Sequence, residues 1–369
     1  MIVETILRNE ERAIFALRNL YRSYGYQRYK MSRFEEYDLY VRNKDFLVSD
    51  EVITFTDRNG RLLALKPDVT LSIIKNTVDQ PGVVEKQYYN ENVYRIDPGT
   101  HSFKEIMQAG LECVGDLTDY EITEVVLLAV KSLALLEEQF VLDISHMGLI
   151  SAVLDDSGLS ENGKKQALVF LRQKNSHELA ALCRDEEISE IHCNRLQALV
   201  TCSGTPDEVE STMVPLLDGC ALNALKELLN ICSILKKCGF ESCINVDFSV
   251  GNDMKYYSGV VFKGYLAGIP TSVLSGGQYD RLLRKMGRSS SAIGFAIYVD
   301  LLERHGNTAA QGDVDTLILH DGSMDSAELV KLVEEASGLG SVLVASGEPK
   351  DRCWKKVIRI ENGEVVNRG

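Results

Sequence analysis

Two polar side chains interrupt an otherwise apolar stretch, 106–114, that the sequence predicts to be a β-strand. Gln108 and Glu112 are four positions apart, so both side chains lie on the same face of that strand. An amide and a carboxylate on a buried strand are costly unless each finds a polar partner. A small polar ligand could supply those partners, and the pair therefore indicates a binding pocket.

Asp68 lies in a second stretch that could do chemistry, Lys66-Pro67-Asp68-Val69-Thr70. This stretch follows a predicted hairpin at 52–65, in which Asn59-Gly60 is a strong signal for a two-residue turn. A proline near a helix start, with an acidic residue in the first turn, is ordinary capping chemistry. The residues alone therefore predict that Asp68 caps a helix.

A third stretch, 275–283, begins with Ser275-Gly276-Gly277, where the absence of a Cβ lets another group approach the backbone closely. The preceding run, 250–262, passes through the paired tyrosines Tyr256-Tyr257 and ends in β-branched residues, which predicts a strand that leaves a tight turn. Taken alone, the pattern indicates a buried hairpin joined to a helix that Asp280 opens.

Together these stretches resemble the signature motifs of the histidyl-tRNA synthetase family, which are class II aminoacyl-tRNA synthetases. The predicted helix at 5–23 and strand at 26–31 resemble motif 1, the dimer element, without its expected proline. The predicted strands 86–94 and 106–114, with Arg95 after the first, resemble motif 2. The resemblance covers residues 1 to about 305.

The resemblance implies a pocket for histidine. In the family, the acid at the position of Asp68 holds the α-amino group of the bound histidine, and the residues at Gln108 and Glu112 also contact it. Arg95 is expected near the carboxylate of the amino acid. The implied pocket residues are Asp68, Thr70, Arg95, Gln108, Glu112, Tyr256 and Tyr257.

The cations that serve ATP in the synthetases are not matched. Aligning the paired tyrosines places Asn252 where the family has an arginine, and Leu301 stands near the arginine of motif 3. Lys255 reverses the charge of the acid that directly precedes the tyrosines. Because adenylate formation depends on cations that neutralise shifting phosphate charge, we expect no catalytic residue for this reaction.

Composition narrows the class of protein further. The 369 residues include 54 acidic and 40 basic ones, and the net charge of −14 argues against a general nucleic-acid binder. No apolar run reaches the length of a membrane span, and the N-terminus shows no secretory signal. The nine cysteines include no Cys-x-x-Cys pair, which favours reduced thiols in the cytoplasm. We expect neither a metal nor a cofactor.

The predicted fold is α+β, with a class II synthetase-like antiparallel sheet flanked by helices. Residues 1–148 and 240–308 are expected to form this core. Residues 149–239 are expected to form a helical insertion that breaks at Gly158, Gly163, Gly204 and Gly219. Residues 312–369 are expected to form a short α/β segment, smaller than the anticodon-binding domain of a synthetase.

Retention of the amino-acid pocket without the ATP cations resembles the regulatory subunits of ATP phosphoribosyltransferase, which are non-catalytic relatives of the synthetases. The resemblance implies a short-form catalytic subunit as partner, a homodimer within a hetero-oligomer, and a role in activity and histidine feedback at the first step of histidine biosynthesis. Histidine is the candidate ligand, and neither tRNA nor a membrane is expected. Two alternatives stay open: a divergent histidyl-tRNA synthetase or related amino-acid-activating enzyme, and a stand-alone amino-acid-sensing or protein-interaction module.

The uncharged residues Asn252 and Leu301 predict that the protein does not activate histidine. Histidine-dependent exchange of pyrophosphate into ATP should stay at the background rate, because the triphosphate lacks its cations. A histidyl-tRNA synthetase assayed in parallel is the positive control. Exchange at a rate near that of the synthetase would contradict the prediction.

Overall fold

The computed structural model describes residues 9–44, 47, 52–97, 99–250, 256–302, 314–350 and 352–368. The chain divides into two compact units, Met1–His305 and Gly306–Gly369. The predicted subdivision of the first unit into a core and a helical insertion stays a prediction. Within the described helices, no segment has the length and apolar character needed to cross a membrane.

The first unit contains both helices and strands. Its helices are α1 (Asn9–Ser23), α2 (Tyr37–Arg42), α3 (Thr70–Asn76), α4 (Asp119–Leu136), α5 (Met147–Asp156), α6 (Glu161–Arg172), α7 (Ser176–Asp185), α8 (Glu190–Thr201), α9 (Pro206–Met213), α10 (Gly219–Lys237) and α11 (Asp280–Lys285). Its strands are β1 (Gln27–Arg28), β2 (Phe34–Glu36), β3 (Thr54–Thr56), β4 (Leu62–Leu65), β5 (Val84–Ile96), β6 (Phe103–Gly115), β7 (Phe140–His146), β8 (Ser203–Gly204), β9 (Ile244–Asp247), β10 (Val260–Leu266), β11 (Leu274–Gln278) and β12 (Ser291–Tyr298).

A nine-stranded sheet organises this unit, in the order β1-β5-β6-β12-β11-β10-β7-β9-β8. The pairs from β5 to β7 are all antiparallel, whereas β1 joins β5 and β9 joins β7 in parallel. The predicted antiparallel sheet flanked by helices is therefore confirmed. The predicted strand at 26–31 is shorter, at Gln27–Arg28, and the predicted start of the first helix at residue 5 lies outside the described residues.

One face of the sheet carries the main hydrophobic core, which α1 and α4 help to cover. Tyr21 of α1 packs its ring 6.1 Å from the rings of both Tyr88 and Phe295. Its hydroxyl lies 3.1 Å from the hydroxyl of Ser132 in α4, so the buried phenol has a polar partner. Leu111 and Phe295 pair across β6 and β12 and point into this core. Because strand side chains alternate, Gln108 and Glu112 point to the opposite face.

A separate three-stranded sheet, in the order β2-β4-β3, precedes α3. The hairpin predicted at 52–65 is present, but the prediction of a two-residue turn was wrong. The connection runs from Asp57 to Arg61, because Asp57 Oδ1 accepts the backbone N–H groups of Asn59 (2.8 Å) and Arg61 (2.9 Å). Gly60 adopts a φ of 80°, so the turn signal marked the right place in a longer loop.

The six helices α5–α10 cover residues 147–237, as the leucine-rich sequence predicts. The expected break at Gly163 was wrong, because this residue lies inside α6. A Cβ there would overlap the carboxylate of Glu186, which instead accepts hydrogen bonds from Ser160 at the start of α6. Glycine at this position therefore serves close packing rather than a chain break.

The second unit contains β13 (Val314–His320), α12 (Ser326–Ser337), β14 (Val342–Ala345), β15 (Trp354–Glu361) and β16 (Glu364–Arg368). These strands form one sheet in the order β14-β13-β15-β16, and apolar side chains of α12 pack on it. The predicted strands and helix are present, but β16 was not predicted. Its signal was Asn362-Gly363, a hairpin turn in which both residues have positive φ.

Candidate ligand-binding site

A cavity of about 410 Å³ opens on the sheet face that points away from the main core. Its volume is within the usual range for small-molecule sites. All seven residues expected in the pocket line it, namely Asp68, Thr70, Arg95, Gln108, Glu112, Tyr256 and Tyr257. The structure therefore brings these residues together, although their role in binding histidine stays a prediction.

The floor of the cavity is built from small residues of the sheet. Glu112 of β6 pairs with Gly294 of β12, and both residues line the cavity. Residues directly opposite each other share one face, so a side chain at position 294 would compete with Glu112 for space. A Cβ on Gly294 would overlap the Glu112 carboxylate. Glycine at position 294 thus makes room for the acid.

The carboxyl group of Glu112 is held by the starts of two helices. Its Oε1 accepts a hydrogen bond of 2.7 Å from the hydroxyl of Thr70, the first residue of α3. Its Oε2 accepts a hydrogen bond from the hydroxyl of Tyr279, which directly precedes α11. Burial raises the pKa of Glu112 to about 8, although both hydrogen bonds favour the charged form. Below pH 8 this carboxyl group is therefore mainly neutral.

Asp68 caps a helix and also lines the cavity. Its Oδ1 accepts the backbone N–H of Leu71 at 2.8 Å, so it caps the first turn of α3. It also lines the cavity, where burial raises its pKa against the opposing effects of that hydrogen bond and of the Arg95 charge. The capping role and a ligand-binding role are therefore compatible.

Arg95 and Gln108 offer hydrogen-bonding groups to a ligand. The Nε of Arg95 donates to the carbonyl oxygen of Pro67 at 3.1 Å, and this bond fixes the guanidinium at the cavity wall. Its terminal nitrogens donate to no residue that the structure describes. Gln108 is only 4% exposed, yet within the described part of the chain its amide has no hydrogen-bond partner. A polar ligand would satisfy both groups.

Aromatic rings form one wall of the cavity. The rings of Tyr256 and Tyr257 lie 4.7 Å apart at 75°, and Tyr256 lies 5.7 Å from Tyr279. Tyr279 was not predicted as a site residue, although it belongs to the 275–283 stretch. Other lining residues were also missed, among them Tyr89, Lys263, Ser275 and Tyr298. Lys263 had a readable signal, because it is a charge within an apolar strand.

The positions expected to have lost their cations are partly described. Leu301 lies in a short 3₁₀ helix, Val299–Leu302, that follows β12, and its side chain packs against the main core. It contributes apolar contact near the position where the arginine of motif 3 was expected. Asn252 and Lys255 lie outside the described residues.

Comparison with known families places these features in context. The model of the family described as histidyl-tRNA synthetase matches residues 4–302. The chain belongs to the histidyl-tRNA synthetase family. The predicted class II synthetase-like fold and the resemblance to this family are thereby confirmed.

Within the family, this chain is similar to proteins named as regulatory subunits. An ATP phosphoribosyltransferase regulatory subunit from Acetivibrio thermocellus is 28% identical over 335 residues, or 86% of this chain and 79% of that protein. One from Clostridium acetobutylicum is 29% identical over 297 residues, or 78% of this chain and 72% of that protein. The predicted resemblance to regulatory subunits is also confirmed.

Solved structures share the fold at lower sequence identity. An ATP phosphoribosyltransferase regulatory subunit/histidyl-tRNA synthetase from Bacillus halodurans superposes with a TM-score of 0.78 at 24% identity, over 95% of this chain and 93% of that one.

The raised pKa of Glu112 predicts a pH-dependent gain in stability for Glu112→Gln. In the unfolded chain the carboxyl has its ordinary pKa near 4.5, and in the fold the pKa is about 8. The neutral Glu112 makes its full contribution to the free energy of unfolding below pH 4.5, and this contribution is lost as the pH rises towards 8. Thermal unfolding should therefore show the variant above wild type by about 2 °C or more at pH 8.5. The difference should shrink towards pH 5.

Glu334→Gln, an exposed change on α12, is the matched control and should show no such pH-dependent difference. A Glu112→Gln melting curve parallel to that of wild type at every pH would contradict the raised pKa.

Gly294→Ala should destabilise the fold, because the new methyl group overlaps the Glu112 carboxylate. Overpacking of this kind costs about 1–3 kcal/mol. Differential scanning calorimetry should show a lower Tm than for Gly347→Ala, where a Cβ meets no atom within 4 Å. Equal melting temperatures for the two variants would contradict the prediction, because they would mean that the cavity floor accommodates the methyl group without loss of stability.

Proposed function

We propose that this protein is the regulatory subunit of an ATP phosphoribosyltransferase. In this role it is required for the activity and histidine feedback of the first step of histidine biosynthesis. The names of its relatives support this function, and so does the fold it shares with a solved ATP phosphoribosyl transferase complex from Thermotoga maritima. That similarity has a TM-score of 0.64 at 19% identity, over 79% of this chain and 97% of that one.

The observation that supports the proposal is a cavity lined by the residues expected to bind an amino acid, in a chain with uncharged residues at two positions expected to bind ATP. Seven expected pocket residues line one cavity, whereas Leu301 packs into the core at the motif 3 position. Asn252, at another cation position, is also uncharged. A pocket that binds its amino acid without the groups that activate it fits a sensor rather than a synthetase.

Histidine is the ligand that this pocket fits best. Asp68 faces the α-ammonium group and Arg95 the carboxylate, since each offers the complementary charge. Glu112 accepts a hydrogen bond from the imidazole, and the Gln108 amide gains the partner it lacks among the described residues. A cationic ligand group also favours the ionised form of Glu112, so binding draws the proton from this acid.

The partner in this proposal is a short-form catalytic subunit. The chain forms a homodimer through residues 5–31 and the neighbouring sheet, and the dimer joins a larger hetero-oligomer. The acidic balance of 54 acidic to 40 basic residues supports a partner other than tRNA. Co-purification with a short-form subunit separates this function from a stand-alone amino-acid-sensing module. Absence of pyrophosphate exchange separates it from an active synthetase.

The test of the sensor is Glu112→Ala in the reconstituted complex, with phosphoribosyltransferase activity followed against histidine concentration. A hydrogen bond to a charged group is worth about 1.5–3 kcal/mol, so the variant should need at least tenfold more histidine for the same response. Co-purification should show that the variant still assembles. Glu334→Ala, exposed on α12, is the control and should follow the wild-type curve.

A Glu112→Ala response that overlays wild type would contradict histidine sensing by this pocket. Feedback would then act through the catalytic subunit.

A further inference from the structure

Two cysteines lie on either side of the short turn that joins α7 to α8. Cys183 is in the last turn of α7, and Cys193 ends the first turn of α8, ten positions further along the chain. The backbone N–H of Ile188 donates to the carbonyl oxygen of Cys183 at 2.8 Å, and that of Cys193 donates to the carbonyl oxygen of Ser189 at 2.9 Å. These bonds fix the turn, and the two helices pack against each other beside it.

The two thiols are in contact with each other. A hydrogen bond joins the side chains of Cys183 and Cys193, and both belong to the packing of the main hydrophobic core. Packed helices have axes about 8–10 Å apart and Cα atoms about 2.3 Å from each axis, so facing Cα atoms approach to about 3.5–5.5 Å. Disulfides join Cα atoms about 4.4–6.8 Å apart. The backbone of this helix pair is therefore compatible with a disulfide.

A small apolar cavity lies one helical turn away from the two thiols. It has a volume of about 10 Å³ and is lined by Leu179 of α7 and Leu196 of α8, together with other apolar side chains of α5, α6 and α8. Sulfur atoms in contact are about 4 Å apart and bonded ones about 2 Å, so closure requires the sulfurs to approach. Close packing opposes such movement, and a cavity in the same helix interface lowers its cost.

The two thiols differ in their access to solvent. Cys183 is 2% exposed, whereas Cys193 is half-buried at the margin of the core. Burial, and then the neighbouring thiol of Cys193, raise the pKa of Cys183, so this thiol stays protonated at neutral pH. A dissolved oxidant therefore reaches Cys193 first, with Cys183 next to it as the second thiol. An accessible thiol beside a resolving one is the arrangement of redox-sensing cysteines.

We propose that Cys183 and Cys193 form an oxidation site, at which hydrogen peroxide produces a reversible disulfide between α7 and α8. Disulfides in a reducing compartment are mostly transient and redox-sensing, so this site agrees with thiols that are otherwise reduced. The bond closes the chain across the α7–α8 turn, which restricts the unfolded chain and ties the two helices together.

The reaction has two steps. The sulfur of Cys193 attacks one oxygen of hydrogen peroxide, the O–O bond breaks and water leaves, so that Cys193 becomes a sulfenic acid. The sulfur of Cys183 then attacks the sulfur of Cys193, the S–O bond breaks, and the hydroxyl group leaves as a second water with the thiol proton of Cys183. Two electrons pass from the two sulfur atoms to the peroxide, and the products are one disulfide and two waters.

The experiment treats the full chain with hydrogen peroxide, alkylates the remaining thiols and maps the peptides by mass spectrometry. Wild type should give a peptide pair joined through Cys183 and Cys193, lighter by two hydrogen atoms and separated by dithiothreitol. Cys183→Ala should stop at the sulfenic acid of Cys193, which dimedone labels, because the resolving thiol is missing. Cys193→Ala should leave Cys183 labelled at least tenfold more slowly, since burial restricts access to it.

Cys238→Ala is the matched control, because Cys238 is an exposed thiol at the end of α10. This variant should form the disulfide as wild type does. A disulfide confined to the exposed cysteines, with Cys183 and Cys193 still reduced, would overturn the proposal. So would over-oxidation of Cys193 to a sulfinic acid in wild type without any disulfide. Thermal unfolding verifies that each variant is folded, and the wild-type peptide map decides the question without them.

Discussion

The buried carboxyl group of Glu112 is the constraint around which the pocket is built. It receives hydrogen bonds from Thr70 and Tyr279, which come from stretches far apart in sequence and stand at the starts of two helices. Its space exists only because Gly294 lacks a Cβ. A change at any of these positions alters the others, since an acid without its donors is a costly buried group. The same contacts therefore shape the proposed amino-acid pocket and stabilise the local fold.

Much of this site could be predicted from sequence because its signals are local. Two polar residues at an even spacing in an apolar strand indicate one face, and an acid in the first turn after a proline indicates a cap. Both signals were correct for Gln108, Glu112 and Asp68. Tyr279 was missed as a site residue because its place in the cavity depends on the register between distant strands, and the charge of Lys263 marks an unusual strand position without showing which cavity the residue lines. Strand spacing within one segment carries no information about that register.

The fold shows the same division between local and non-local information. The hairpin and the long antiparallel pair follow from the alternation of apolar and polar residues, and their predicted limits are within a few residues of the observed ones. The turn after Asp57 was mispredicted because a side chain accepts two backbone N–H groups there and lengthens the loop. Gly163 was wrongly predicted to break a helix. Glycine is needed there because the carboxylate of Glu186, at the end of α7, occupies the space that a Cβ would take. In each case a contact specific to this chain overrides an average propensity.

The proposed loss of catalysis and the proposed regulatory role are linked by one thermodynamic requirement. A ligand shifts an equilibrium only by the difference in its affinity for the two states, however tightly it binds. A synthetase binds histidine and then consumes it, whereas a sensor must leave the ligand intact and turn its binding energy into a preference for one arrangement. Glu112 provides a physical route, because its hydrogen-bond donors Thr70 and Tyr279 begin α3 and α11. If the proposed amino acid ionises this acid, both hydrogen bonds become stronger, and the arrangement in which the two helix starts are held against the sheet becomes more stable.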